Sequence, residues 1–211
     1  MPRAVTKSKS LYSVHPGVAM VQRWIEDLPV KTGRSLKQWI AHIRSEGPAD
    51  EKECRTWLKD TYGHGTNTAW WLAERAHGNP MGLMEEDPKQ YLAMAYQYVE
   101  DMYAGSKAGL RPLYEELLGL GLGLAKDVRA CPCKTIVPLY RNHVFAQIKP
   151  ATKTRIDFGL ALKDTPVSGK LIDTGGFAKK DRITHKFEIT SSKDITADVK
   201  KWLKRAYAMD A

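Results

Sequence analysis

The chain has 211 residues, 43% of them apolar and 27% charged, with a formal net charge of +9. This is a globular composition, sized for one large domain or two small ones, and no apolar run reaches the ~20 residues of a bilayer span, which argues against a membrane protein. The basic start MPRAVTKSKS lacks the apolar core of a signal peptide, and three cysteines, an odd number, argue against a disulfide framework, so a cytoplasmic protein with reduced thiols is expected.

Residues 1–14 are polar and read as a flexible N-terminus. From Pro16 the pattern turns helical: Val18, Val21, Trp24, Ile25 and Leu28 recur at helix spacing, with Pro29 placed to close the helix. In the next segment, Ser35 and Gln38 form a capping-box pattern ahead of the stripe Leu36, Trp39, Ile40 and Ile43. A third helix is predicted from Asp50, burying Cys54, Trp57 and Leu58 and halting at Gly63. The fourth runs from about Thr66 to Ala76 and ends at Gly78-Asn79-Pro80. Trp70 and Trp71 lie about 100° apart on that helix, so only one can face the core fully. Residues 15–80 thus read as a tryptophan-rich helical module, and 81–87 as a linker.

Residues 88–211 read as a second domain. Two longer helices, broken at Gly105-Ser106, precede a change to alternation. Strands are expected from Ile136 to about Arg141, over Val144, Ala146 and Ile148, over Ile156, Phe158, Leu160 and Leu162, and over 183–190; Asn142-His143 forms the first turn. A last helix opens at Asp194, with Val199, Trp202, Leu203 and Tyr207 inward. The fold class is α+β: a small all-helical N-terminal module followed by an α+β domain with a four- to five-stranded antiparallel sheet and a C-terminal helix.

The text KTGRSLKQW, with the later GHGTNTAWWLA, resembles the helical module termed domain of unknown function 4287. RPLYEELL, then KTIVPLYRNHVFAQIKPATKTRIDFGLAL, then VKKWLKRAYAM, resembles domain of unknown function 5655. The resemblance implies a bacterial origin and a paired arrangement of the two modules, and it supplies no catalytic residue.

Charge gives the main functional lead. Residues 126–211 hold 18 Lys and Arg against 9 Asp and Glu, which is the whole surplus, while residues 1–125 balance at 15 against 15. If Ile156 and Phe158 face the core, Lys153, Arg155 and Asp157 share the opposite face. Arg141 and Lys149 extend the set, with Tyr140 or His143 as a stacking ring. Cations spaced along strands suit successive phosphates, so the favoured function is sequence-tolerant binding of DNA or RNA. Gly63 and Gly65, in a tight turn running into a helix, would add a backbone phosphate contact.

Two alternatives stay open: a protein-interaction module for an acidic partner or for a second copy of the chain, and an enzyme acting on a small anionic or phosphate-containing substrate. No catalytic motif is found; the enzyme reading rests on Asp157 beside Arg155, Lys153 and His143. No cofactor is expected. The glycine run 118–125 lacks the leading strand of a dinucleotide fingerprint and reads as a weakened helix end. No metal is expected either, because Cys131-x-Cys133 lacks zinc-ribbon spacing even with His143 and His185 added.

Overall fold

The computed structural model describes residues 10–78 and 87–211; Asn79-Pro80 and most of the expected linker lie outside the described residues. The chain divides into two compact units, Pro16–Pro88 and Met1–His15 with Lys89–Ala211. Among the described residues no helix is long and apolar enough to cross a membrane.

The first unit is four helices: α1 (Pro16–Thr32), α2 (Leu36–Glu46), α3 (Glu51–Tyr62) and α4 (Thr66–Ala76). Local chemistry explains two of the starts. The Ser35 hydroxyl accepts from Gln38 N while the Gln38 side chain accepts from Ser35 N at 2.8 Å, the reciprocal capping box, and the Asp50 carboxylate accepts from Glu53 N at 2.9 Å. Val21, Leu28, Trp39, Ile43, Cys54, Leu58, Trp71 and Leu72 form the core, each large apolar side chain contributing about 1.5–3 kcal/mol by burial. Of the adjacent tryptophans, Trp71 is buried, whereas Trp70 is partly exposed with the Arg55 guanidinium 5.8 Å from its ring. Pro29 does not close α1. It sits in the last turn, and the helix runs on to Thr32, whose hydroxyl donates to Leu28 O at 2.7 Å.

The second unit carries α5 (Pro88–Met102), a 3-10 turn (Gly105–Leu110), α6 (Arg111–Leu122), and strands β1 (Arg129–Ala130), β2 (Val137–Tyr140), β3 (Val144–Pro150), β4 (Ile156–Leu160), β5 (Ile172–Asp173) and β6 (His185–Ile189), then α7 (Ala197–Ala208). The strands form one antiparallel sheet in the order β1-β2-β3-β4-β6-β5. The sheet thus exceeds the expected four to five strands by two-residue edges too short to alternate visibly. Ile148, Phe158 and Phe187 stand opposite one another across β3, β4 and β6, as do Ile156 and Ile189, and this row is buried.

Helix α6 packs on the sheet so closely that a Cβ at Gly121 would lie 2.4 Å from Leu139 Cδ1. Gly119 and Gly121 both lie within α6, and at Gly121 the glycine run reflects this close approach. Residues 11–15 are not a loose extension of the chain but pack into this unit: Tyr12 is buried with its hydroxyl 2.9 Å from that of Tyr114, and Ser13 N donates to Ala130 O at 2.9 Å.

At the C-terminus, Asp194 does not open α7. Its carboxylate accepts from Thr190 N at 3.0 Å and Ser191 N at 3.1 Å, and these N–H groups, with the Thr190 hydroxyl, hold its pKa down to about 2. Tyr207 is half-buried: its ring packs edge-on against Phe145 at 5.5 Å, while its hydroxyl donates to Asp127 Oδ1 at 2.8 Å. Asp210 is only 4% exposed; it accepts from His143 N at 2.8 Å, lies 3.1 Å from His143 Nδ1, and pairs with Arg182. Burial would raise its pKa, but these partners outweigh burial and hold the carboxyl below the ordinary carboxylate value. Asp210→Asn is expected to lower the free energy of unfolding by about 1–3 kcal/mol at neutral pH. A depressed folded-state pKa gives stability that is present above the unfolded value and lost as pH falls through the folded one. Denaturant titrations should therefore show parent and variant converging at acid pH; an undiminished gap would contradict this role for the charge.

Candidate functional site

The β4–β6 register sets Asp157 directly opposite Glu188, with Lys149 opposite Asp157 on the other side. Two facing carboxylates repel. Lys186 Nζ donates to both, at 2.9 Å each, while Arg155 Nη1 lies 3.1 Å from Glu188 and its Nε 2.9 Å from Asp157 Oδ1. The Arg155–Asp157 contact is Coulombic, since its N–H is not directed along the line to the oxygen. The hydrogen bonds to Asp157 and Glu188, in that order, raise the Lys186 pKa, so it stays charged further into the alkaline range. Arg155 and Asp157 thus belong to a quartet of zero net charge.

Of the remaining cations, Lys149 stands beside the quartet on β3, whereas Arg141 and Lys153 are set far apart. Arg141 lies at the β2–β3 turn and Lys153 at the β3–β4 turn, at opposite ends of the seven-residue β3, which at ~3.3 Å per residue places them roughly 20 Å apart. Arg141, joined to that face across the sheet, is therefore divided from Lys153 by the length of a strand. Arg141 Nε lies 3.3 Å from Asp127 Oδ2, its Nη1 donates to Tyr207 O at 3.3 Å, and its guanidinium stands 4.4 Å from the Tyr207 ring. It serves the carbonyl end of α7, where a cation is favoured. Tyr140 Oη pairs with His15 Nε2 at 2.9 Å, and the exposed His143 ring is turned to Asp210. Lys149 and Lys153 are exposed, without a carboxylate partner among the described residues.

No group of three or more His, Cys, Asp or Glu suited to a metal occurs among the described residues. Cys131 and Cys133 are buried, and burial pushes both thiols up to about 12, so they stay protonated near neutrality. His185 is buried between Thr165 O and the Thr184 hydroxyl, each 2.8 Å away.

A different site emerges in the first unit. The α1–α2 turn and the α3–α4 turn meet at a cavity of about 720 Å³ walled by Trp24, Trp39, Tyr62, His64 and Trp71, a volume in the range of small-molecule pockets. Gly63 closes α3 with φ +68°, a left-handed conformation that glycine adopts without steric cost. Gly65 follows as the N-cap of α4. It supplies no capping oxygen, and a Cβ there would meet nothing within 4 Å. The first N–H groups of α4, at the positive end of its dipole, are thus left open on the cavity side.

The walls are ordered by their own contacts. Trp39 Nε1 donates to Thr32 Oγ1 at 2.8 Å, its ring meets Tyr62 edge-on at 5.0 Å and His64 at 4.7 Å, and the Arg34 guanidinium stands 4.9 Å from it. Arg34 has no carboxylate partner among the described residues; Asp27, also on the wall, is taken by Lys31 at 2.7 Å. Burial lowers the His64 pKa, leaving a neutral ring near pH 7, and its Nε2 has no partner among the described residues. Trp71, 1% exposed, likewise has an indole N–H that donates to none of them. An aromatic wall, unsatisfied ring nitrogens, a guanidinium without a carboxylate and a bare helix start together suit a ligand with a flat ring and an anionic group. Gly63 and Gly65 are visible in the sequence as a turn; Trp24, Arg34, Trp39 and His64 are not visible as a site, because their meeting depends on the packing of two separate turns.

Removal of the quartet's arginine gives a test of its structural role. Arg155→Met is expected to lower stability by about 1–2 kcal/mol, and Glu188→Gln in the same chain to restore part of that loss. Equal, additive losses in a double-mutant cycle would show that the four charges do not act together.

Comparison with known families places residues 99–210 in a match to Domain of unknown function (DUF5655) and residues 20–77 in a match to Domain of unknown function (DUF4287). No curated protein and no solved structure matches the chain. The two matches fall on the two units in turn, as the motifs KTGRSLKQW and YRNHVFAQIKPATKTRIDFGL imply. With more than half of its 211 residues inside the first match, the chain belongs to the DUF5655 family and carries a DUF4287 module ahead of it.

Proposed function

We propose that this is a non-catalytic binding protein for a nucleotide unit, taken up in the aromatic cavity of the helical unit. The observation that carries the reading is the uncapped start of α4 opening onto that cavity beside Arg34. A phosphate accepts from the N–H groups of Asn67 and Thr68 and from the guanidinium, as anions do at helix N-termini. The base lies against Trp24, with the Trp71 N–H and His64 Nε2 as partners for its polar edge. With a single base held and only these two ring nitrogens at its edge, recognition is tolerant of the wider sequence and suits a nucleotide, free or at the end of a single strand. Lys149 and Lys153, exposed on the sheet unit, are left to attract a polyanion, a contribution that salt would screen.

Titration with adenosine 5′-monophosphate, followed by tryptophan fluorescence, tests the reading. Saturable quenching is expected, and Arg34→Gln should weaken it about tenfold or more, the worth of a charge-assisted hydrogen bond. Gly65→Asp supplies the missing cap and sets a carboxylate where the phosphate docks, so it should raise stability by about a few tenths of a kcal/mol while removing binding. Absence of saturable quenching, or a Gly65→Asp protein that binds like the parent, would defeat the proposal. A 5′-phosphorylated single-stranded oligonucleotide, titrated at two salt concentrations, then distinguishes the nucleotide in a strand from the free one.

A further inference from the structure

We infer that the second unit holds a separate pocket for a small aryl anion, a flat apolar body bearing one phosphate or carboxylate, between Lys163 and Lys180. Among the described residues only two that are not glycine adopt positive φ, Lys163 at +55° and Lys180 at +60°. Both line the same cavity of about 550 Å³. A left-handed conformation costs a residue with a Cβ more than it costs glycine, so local turn geometry favours glycine at both positions. At Lys180 the turn demands it: Lys180 N donates to Phe177 O at 3.1 Å, and Asp181 N returns to Gly176 O at 2.8 Å. Backbone geometry therefore gives no reason for lysine there, whereas a task for the side chain does.

The surroundings indicate the task. Neither lysine has a carboxylate partner among the described residues, and both are exposed at the rim. Phe177, on the same turn as Lys180, leaves 54% of its surface in solvent and offers an aromatic face beside them. Ala161, Ala178 and Met209 supply apolar wall. The other cation, Arg182, is committed: its Nε donates to Val144 O at 2.8 Å and it pairs with Asp210. Among the described residues Asp181 is the single carboxylate lining the pocket, so the two lysines leave an excess of positive charge over an apolar base. Cationic rim and apolar base together select an anion with a ring and not a bare anion.

Backbone amide shifts of the full chain, titrated separately with phenyl phosphate, inorganic phosphate and benzyl alcohol, test the pocket. Phenyl phosphate should give saturable shifts at residues 176–184 and bind more tightly than either fragment. Lys163→Gly and Lys180→Gly relax the backbone while deleting the ammonium; each should still unfold cooperatively and should weaken phenyl phosphate by about tenfold. Phe177→Ala should weaken phenyl phosphate and leave inorganic phosphate unchanged. No saturable shift at these amides, equal affinity for inorganic phosphate, or parental binding by the glycine variants would each overturn the inference. Gly65→Asp, which lies in the other unit, should have no effect on these shifts.

Discussion

The constraint on which the sheet's chemistry depends is the β4–β6 register, which forces Asp157 and Glu188 to face each other. That register is held by the apolar side: Ile156 stands opposite Ile189 and Phe158 opposite Phe187, and a slip of β6 by one residue would turn Phe187 and Ile189 out of the core. Two unit charges about 5 Å apart interact by roughly 3 kcal/mol at an effective dielectric near 20. Leaving that repulsion bare would oppose the pairing the core demands. Arg155 and Lys186 offset it, and the sheet can then keep its register with four charges on its polar face.

Net charge consequently overstates what is free to meet a partner. Arg155 and Lys186 neutralise the facing carboxylates, Arg141 serves the end of α7, and Arg182 holds Asp210 against the β2–β3 turn. Each of these cations counts toward the surplus of +9, yet each has a structural partner close by. A basic half is therefore two populations. One is built into strand register and helix ends; the other, including Lys149, Lys153, Lys163 and Lys180, has no carboxylate partner among the described residues.

What can be read from sequence follows the range of the interaction concerned. Ser35 with Gln38, Asp50 with Glu53, and Gly63 act within one turn of chain, and each does in the fold what its spacing implies. The alternation of Ile156, Phe158 and Leu160 likewise places their faces correctly. For Arg155, alternation gives the right face but not the partner, because Glu188 is contributed by another strand through a register that alternation alone does not reveal. Pro29 misleads for a different reason: a proline in the last turn of a helix forgoes one donor without ending it. The cavity is hidden because YGHGTN reads as a turn offering only a backbone phosphate contact; the aromatic and cationic neighbours become a wall only when that turn meets the one between α1 and α2.

Unpartnered buried atoms do not by themselves mark a binding site. Tyr103 Oη and Trp202 Nε1 also lack partners among the described residues, and they line neither cavity. Trp71 differs because its unsatisfied N–H coincides with a helix start that has no cap, in a unit whose neighbouring helices α2 and α3 are both capped by side chains. A serine or aspartate at position 65 would have satisfied the backbone at no cost in space, since nothing lies within 4 Å of a Cβ there. The lysines at 163 and 180 break the complementary rule, placing side chains where the backbone favours none. At one cavity a side chain is missing where the fold would gain from it, and at the other two are present where the fold would gain from glycine. Both departures leave polar groups turned to open space, where water satisfies them until a ligand takes its place.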